Sequence, residues 1–143
     1  MRISKSVIDT INNSISDLPP ETGGILGSHD NELIDEVIMD SPDPTNTRPC
    51  SYFPNVVFLN QNIKLWQDKV ISFAGIFHTH FGGVKTLSCG DRKYINAIMC
   101  AMPQQITSLY FPVFVLPDRE LVCYKAICSN GIVDICAEDI IVE

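Results

Sequence analysis

The feature that most constrains this chain is an apolar run, Val70-Ile71-Ser72-Phe73-Ala74-Gly75-Ile76-Phe77, that passes directly into His78-Thr79-His80. The run has the length and bounds of a buried strand. Two histidines spaced i, i+2 at the exposed end of such a strand present both imidazoles on one face. Neutral imidazole is the commonest side-chain ligand of a first-row metal, and two on one face make half of a tetrahedral zinc site. A His-x-His pair alone carries little information; the residues downstream of it carry more. Ser88 is a good helix N-cap, and Asp91-Arg92-Lys93-Tyr94-Ile95-Asn96-Ala97-Ile98-Met99-Cys100 reads as a helix with apolar positions at 94/95, 98/99 and 102. Asp91 then lies in the first turn of a helix that starts beside the histidine-bearing strand, where it can supply a third, hard ligand. Three protein ligands, His78, His80 and Asp91, with one position open are the arrangement of a catalytic zinc.

The rest of the chain supplies a frame for that point. Ile3, Val7, Ile8, Ile11 and Ile15 form a helical stripe over residues 3–17, which Leu18-Pro19-Pro20 ends. Glu21-Thr22-Gly23-Gly24-Ile25-Leu26-Gly27-Ser28 reads as a short glycine-rich strand, and glycine in a strand often marks a close approach by another backbone or a ligand. Taken alone, Glu21 reads as a solvated residue after a turn, and His29 as an exposed residue in the turn Ser28-His29-Asp30-Asn31. A partner strand over 32–39 leads into a proline-rich loop over 40–54 that carries Arg48, Tyr52 and Phe53. A loop of that length in a compact domain is functional or mobile. Asn55 caps a helix through about Lys69, with Val57, Phe58, Ile63 and Leu65/Trp66 as its apolar contacts. After the helix over 89–101 come a strand over 109–116, a turn at Pro117-Asp118-Arg119-Glu120, a returning strand over 121–127, and a last strand at 132–136 behind the Asn130-Gly131 turn. Pro112 suggests that the first of these strands is an edge or carries a bulge. Helices alternating with strands predict a single α/β domain over residues 1–143, a mixed sheet flanked by helices.

The residues around the histidines resemble the JAMM motif of the JAB/MPN-domain metalloproteases: a distant glutamate, then His-Ser/Thr-His-Pro, six residues, Ser, two residues, Asp. Here the second half reads His78-Thr79-His80-Phe81, six residues, Ser88, two residues, Asp91, with Phe81 standing where the family usually has proline. Glu21-Thr22-Gly23-Gly24-Ile25-Leu26-Gly27 is similar to the strand that bears the catalytic glutamate in the bacterial members. The resemblance implies the JAB/MPN fold, related to that of cytidine deaminases, and one zinc held by His78, His80 and Asp91. It implies Glu21 as general base, Ser88 as donor to the developing oxyanion, and a loop near the groove from which Arg48, Tyr52 and Phe53 touch substrate. From the residues alone, Phe53 serves equally well as a plug for the core. The implied reaction is hydrolysis of the peptide or isopeptide bond after the C-terminus of a ubiquitin-like protein. The partners are then that protein or its conjugates and the activating and conjugating enzymes of the same pathway, with bacterial antiviral defence as one setting. Two relatives of that reading are a processing protease for sulfur-carrier proteins and a catalytically inert MPN binding scaffold. A zinc deaminase would need His-x-Glu and a later Pro-Cys-x-x-Cys, whereas His80 stands two residues after His78, and Cys100 precedes Pro103.

Composition excludes other classes. The net charge of −7 argues against binding nucleic acid through phosphate neutralisation. No run approaches the roughly 20 apolar residues that cross a membrane, and the start lacks a signal-peptide hydrophobic block, so a soluble cytoplasmic protein is expected. Cys50, Cys89, Cys100, Cys123, Cys128 and Cys136 include no Cys-x-x-Cys spacing. Reduced thiols serving as small buried hydrophobes are the expectation, with Cys89 the one open to oxidation.

Overall fold

A computed structural model describes residues 1–45 and 51–143; Arg48 and Cys50 lie outside the described residues. In chain order the elements are β1 (Arg2–Ile3), α1 (Lys5–Ser14), β2 (Gly23–Ser28), β3 (Leu33–Ile34), β4 (Glu36–Met39), α2 (Val56–Asp68), β5 (Ser72–His80), α3 (Cys89–Ala101), β6 (Ser108–Val115), β7 (Glu120–Ser129), β8 (Ile132–Glu138) and β9 (Ile141–Val142). Six strands form one sheet in the order β4-β2-β5-β6-β7-β8, and three short ones form another, β3-β1-β9. In the large sheet β5 and β6 run parallel and every other neighbouring pair is antiparallel. A parallel pair needs a crossover, and here the crossover is α3.

Alternation along the central strands sorts their side chains into two cores. Ile25, Ile76, Val113 and Val115 pack with Leu59 and Trp66 of α2 and Ile95 and Met99 of α3. Leu26, Phe77 and Phe114 face the other way, onto Val7 and Ile11 of α1. A strand buried on both faces has no polar side to show, which is why β5 and β6 read as continuous apolar runs. The mixed sheet flanked by helices is therefore as expected, and His78 and His80, two and four residues beyond Ile76, fall on the face that carries α2 and α3.

Several boundaries differ from the sequence reading. The first helix begins only after the cap Ser4, whose side chain accepts the Val7 N–H. Ile3 belongs to β1 instead, where it is fully buried between β3 and β9. The strand expected over 32–39 is split: β3 joins the small sheet and β4 the large one. Pro112 lies on a central strand, not an edge. Pairing to β7 runs through it without interruption from Ser108 to Val115, while pairing to β5 passes from Gly75↔Tyr110 to His78↔Val113, which leaves the residue without an N–H between them. On α2 the buried residues are Leu59 and Trp66, and Val57 and Leu65 are exposed. Among the described residues Cys89, Cys100, Cys123, Cys128 and Cys136 are unpaired, but Cys89, Cys100 and Cys136 are exposed and only Cys123 is a buried thiol.

Candidate metal centre

The site is assembled by sheet register and one helix cap. On β2, Gly23 pairs with His78, and the ladder continues past the strand's end: Thr79 N–H donates to the Thr22 carbonyl at 2.8 Å, and Thr22 N–H donates to Thr79 Oγ1 at 2.9 Å. Continuing that pairing by one step sets Glu21 opposite His80 on the histidine face. Gly23 leaves room there for the Tyr52 ring, whose nearest carbon would be 2.5 Å from a Cβ at that position. The close approach expected of a glycine-rich strand is thus made by a side chain. The strand's end is not exposed, contrary to the sequence reading. His78 and Thr79 are fully buried and His80 is 5 % exposed, because the loop after β4 brings Tyr52 back over them. The Tyr52 ring stacks on the His78 imidazole with centroids 5.9 Å apart and planes 10° from parallel.

The two Nε2 atoms lie 2.9 Å apart and point at one place. Their other ring nitrogens are occupied: His80 Nδ1 is 3.0 Å from the Val84 carbonyl, and His78 Nδ1 is 3.3 Å from the Tyr94 hydroxyl. With Nδ1–H donated to the Val84 carbonyl, neutral His80 keeps its Nε2 lone pair for a metal, the arrangement seen behind histidines that bind metals, while protonated His80 donates Nε2–H to Asp91 instead. The Val84 carbonyl reaches His80 because Gly82 and Gly83 take left-handed backbone angles, φ 66° and 71°, and turn the chain back on itself. That turn is made without a proline at position 81.

Asp91 closes the other side. Ser88 and Asp91 form a reciprocal cap at the start of α3: Asp91 N–H donates to Ser88 Oγ at 3.0 Å, and Ser88 N–H to Asp91 Oδ2 at 2.7 Å. Locked in this way, Asp91 places Oδ2 3.2 Å from His80 Nε2 and Oδ1 3.3 Å from His78 Nε2. Burial raises the Asp91 pKa, but hydrogen bonds from the two imidazoles and from Ser88 N–H outweigh it and hold the carboxyl far below the ordinary carboxylate range. Burial pushes His78 down toward the neutral form. It acts on His80 in the same sense, but there Asp91 and the Val84 carbonyl prevail and the pKa is raised. Ser88 spends an acceptor site on the cap and keeps its O–H to donate, from an exposed position on the cleft wall.

Glu21 is half-buried. Burial raises its pKa to about 7, with the negative charge of Asp91 adding to the rise, and His80 and the Tyr52 backbone N–H opposing it. Its carboxylate oxygen and one ring nitrogen each from His78 and His80 all lie within 4.8 Å of one another. The donor set is two buried imidazoles and two carboxylates, one firmly ionised and one poised near neutrality. It fits a divalent first-row cation. Above it opens a cleft of about 590 Å³ lined by Glu21, Ser51, Tyr52, Phe53, His80, Phe81, Ser88, Asp91 and Tyr94, among others. Tyr52 and Phe53 therefore do reach the cleft. His29 is exposed and pairs with Asp35 at 3.0 Å, away from the site.

No protein-family model and no curated protein matches this sequence. Solved structures do match it over its full length. One is a solution structure of a protein from Desulfitobacterium hafniense, at TM-score 0.68 and 19 % identity, covering 93 % of that chain. Another is the crystal structure of a JAB1/MPN domain protein from Archaeoglobus fulgidus, at TM-score 0.55 and 17 % identity, covering 97 % of it. The chain has the JAB/MPN fold. A solution structure of a protein from Salinibacter ruber agrees, at TM-score 0.55, 13 % identity and 92 % coverage. On this MPN fold no helix among the described residues is long and apolar enough to cross a membrane.

Three supports of the centre escape sequence reasoning. By periodicity Tyr94 is only an apolar helix position. It lies three residues after Asp91 on the same helix face, and that spacing is a signal that could reveal it. Thr79, the residue between the histidines, carries the Thr22 bond. Asp40, which holds the Tyr52 hydroxyl at 2.7 Å, gives no local signal at all.

Proposed function

We propose that this chain is a zinc-dependent amide hydrolase that cleaves the peptide or isopeptide bond after the C-terminus of a ubiquitin-like protein. The observation that carries the reading is the convergence of two imidazole Nε2 atoms and the Asp91 carboxylate at the base of a cleft, with a second carboxylate poised near neutrality beside them. His78, His80 and Asp91 would hold the metal, and a zinc bound there supplies Lewis acidity. Of the two carboxylates Asp91 is the better ligand, because it is held ionised by the Ser88 N–H and aimed at both rings. Glu21 is the better proton carrier. Half-buried on the cleft wall and not held by a helix cap, it would accept the proton of the attacking water and return it to the departing amine. The Ser88 O–H donates to the oxygen that becomes negative as the carbonyl turns tetrahedral, a contribution of about 3 kcal/mol where such donors have been removed. Tyr52 and Phe53 line the approach, and with Arg48 they would contact the substrate's tail.

The substrate class comes from the resemblance of the motif, as do the conjugating-pathway partners and a setting in antiviral defence. A protease that processes sulfur-carrier proteins would use the same site. An inert scaffold is disfavoured because Glu21, His78, His80, Ser88 and Asp91 are all present. The test is metal content of the wild type and of His80→Ala, followed by cleavage of ubiquitin-like and sulfur-carrier fusions. About one zinc per chain, lost in His80→Ala, with cleavage at the end of the carrier is the expected result. A wild type that takes up no zinc when supplied with it overturns the reading.

A further inference from the structure

Among the described residues three buried side-chain atoms make no hydrogen bond: Asn12 Oδ1, Thr22 Oγ1 and Asp40 Oδ1. Native structures seldom leave such atoms unpaired without a water or an ion nearby. Two of the three belong to residues that line the same small cavity, about 30 Å³, behind Glu21. That space exceeds the roughly 10–15 Å³ a single water needs and is too small for an organic ligand. Both residues are pinned by other bonds. Asp40 Oδ2 accepts from the Tyr52 hydroxyl at 2.7 Å and from Asn55 N–H at 2.9 Å, and Thr22 is held through its backbone to Thr79. Asp40 cannot swing its unpaired oxygen to another partner without breaking those contacts, whereas the Thr22 hydroxyl turns about its own Cα–Cβ bond and can be aimed at a water beside it.

We propose that this cavity is a binding site for one ordered water, held by Thr22 Oγ1 and Asp40 Oδ1, that fixes Glu21 from behind. The hydrogen-bond count closes. The Thr22 hydroxyl donates to the water oxygen, the water donates one proton to Asp40 Oδ1, and its second proton is left for Glu21, with Ser51 the other polar residue of the wall. Glu21, Ser51, Tyr52 and Phe53 line both this cavity and the larger cleft, so they form the partition between them. The water ties the segment that carries Glu21 to the loop that carries Tyr52, while the opposite side of that partition stays open to substrate. Thr22 and Asp40 are then positioning residues that touch no substrate.

The test needs neither cleavage nor metal. In wild-type protein, water–protein NOEs should reach the Thr22 methyl group, and a high-resolution crystal structure should show density about 2.7–3.2 Å from both oxygens. Thr22→Val keeps the shape and removes the hydroxyl. With a bound water it deprives that water of a donor and lowers Tm by about 4 °C; Thr22→Ser, which keeps the hydroxyl, retains the NOE-detected water. A dry cavity reverses the sign, because Thr22→Val then removes an unpaired hydroxyl and raises Tm. A raised Tm, an empty cavity, or density at about 2.4 Å from several oxygens, the mark of a bound cation, overturns the proposal. A dry cavity leaves the hydrolase reading standing, and an inactive enzyme leaves the water site standing.

Discussion

Replacing Gly75 with alanine should damage this protein more than its single methyl group suggests. Gly75 lies on β5 opposite Tyr110 of β6. A Cβ at that position would meet the Tyr110 carbonyl oxygen at 1.9 Å and its carbon at 2.8 Å. Ordinary contact begins at 3.4 Å, so relief takes a movement of about 1.5 Å. The obstacle is backbone, and β6 is paired to β7 along its whole length on the other side, so the carbonyl cannot rotate away. Opening the two strands by that much stretches inter-strand bonds of about 2.9 Å beyond hydrogen-bonding range. Losing two such bonds, at about 1 kcal/mol each, and straining a packed sheet, at about 1–3 kcal/mol, gives about 3–5 kcal/mol. That is a large share of the 5–15 kcal/mol typical of a whole domain.

The assay is urea denaturation followed by circular dichroism, with Gly90→Ala as the partner experiment. Gly90 lies in the first turn of α3, and a Cβ there meets nothing closer than Ser88 Oγ at 3.6 Å. Alanine at that position should be neutral or stabilise by up to about 1 kcal/mol. Gly75→Ala should also weaken zinc uptake in the folded fraction, since His78 is three residues further along the same strand. A loss below about 1 kcal/mol in Gly75→Ala would refute the steric argument, as would equal effects at the two glycines.

Glu21→Gln should keep zinc and lose cleavage, whereas Asp91→Asn should lose zinc; unchanged metal content in Asp91→Asn would remove its assignment as a ligand. The metal-free protein should show a pH signature of Glu21, whose folded pKa is raised to about 7. A raised folded pKa means its stabilising contribution is complete below about pH 4.5 and is lost as pH rises through 7. Glu21→Gln should therefore gain in Tm relative to wild type between pH 4.5 and 8, and parallel Tm curves would count against a buried, proton-favouring Glu21. Thr79→Val should cost about 1–3 kcal/mol in chemical denaturation, because it leaves the Thr22 N–H without its acceptor; Thr79→Ser should cost less than half of that. Burial pushes the Cys123 thiol up to about 12, so at pH 8 it is about one part in ten thousand thiolate. Iodoacetamide mapping should label Cys89, Cys100 and Cys136 long before Cys123, and comparable rates would contradict the burial.

The relations legible in the sequence are those that short-range geometry determines. His78 and His80 share a face because a strand alternates, and Ser88 and Asp91 meet because a helix cap spans three residues. Both relations survive any arrangement of the remaining chain, so they can be read with no fold in hand. The helix over 89–101 has the expected ends for the same reason: its cap and its apolar spacing are local. Glu21 is different. Nothing within its own segment marks it, and it becomes visible only through the resemblance of Glu-Thr-Gly-Gly to a known strand. Its position depends on the pairing of Gly23 with His78, a contact across 55 residues of chain.

The supports that the sequence hides share that dependence. Tyr52 covers His78 only because Asp40 holds its hydroxyl and Gly23 leaves space for its ring, three positions that no periodicity connects. Burial of the histidines is hidden for this reason: the strand's end is covered by a loop, and loops carry no repeating pattern from which their path can be read. The same holds for Pro112, whose place on a central strand is set by how the β5 ladder is interrupted beside it, not by its own preference. The ligands of the centre are thus encoded locally, while the groups that orient and shield them are encoded by the sheet. A change at Asp40, far in sequence from every residue of the donor set, should therefore disturb the centre as a change on α3 beside it does.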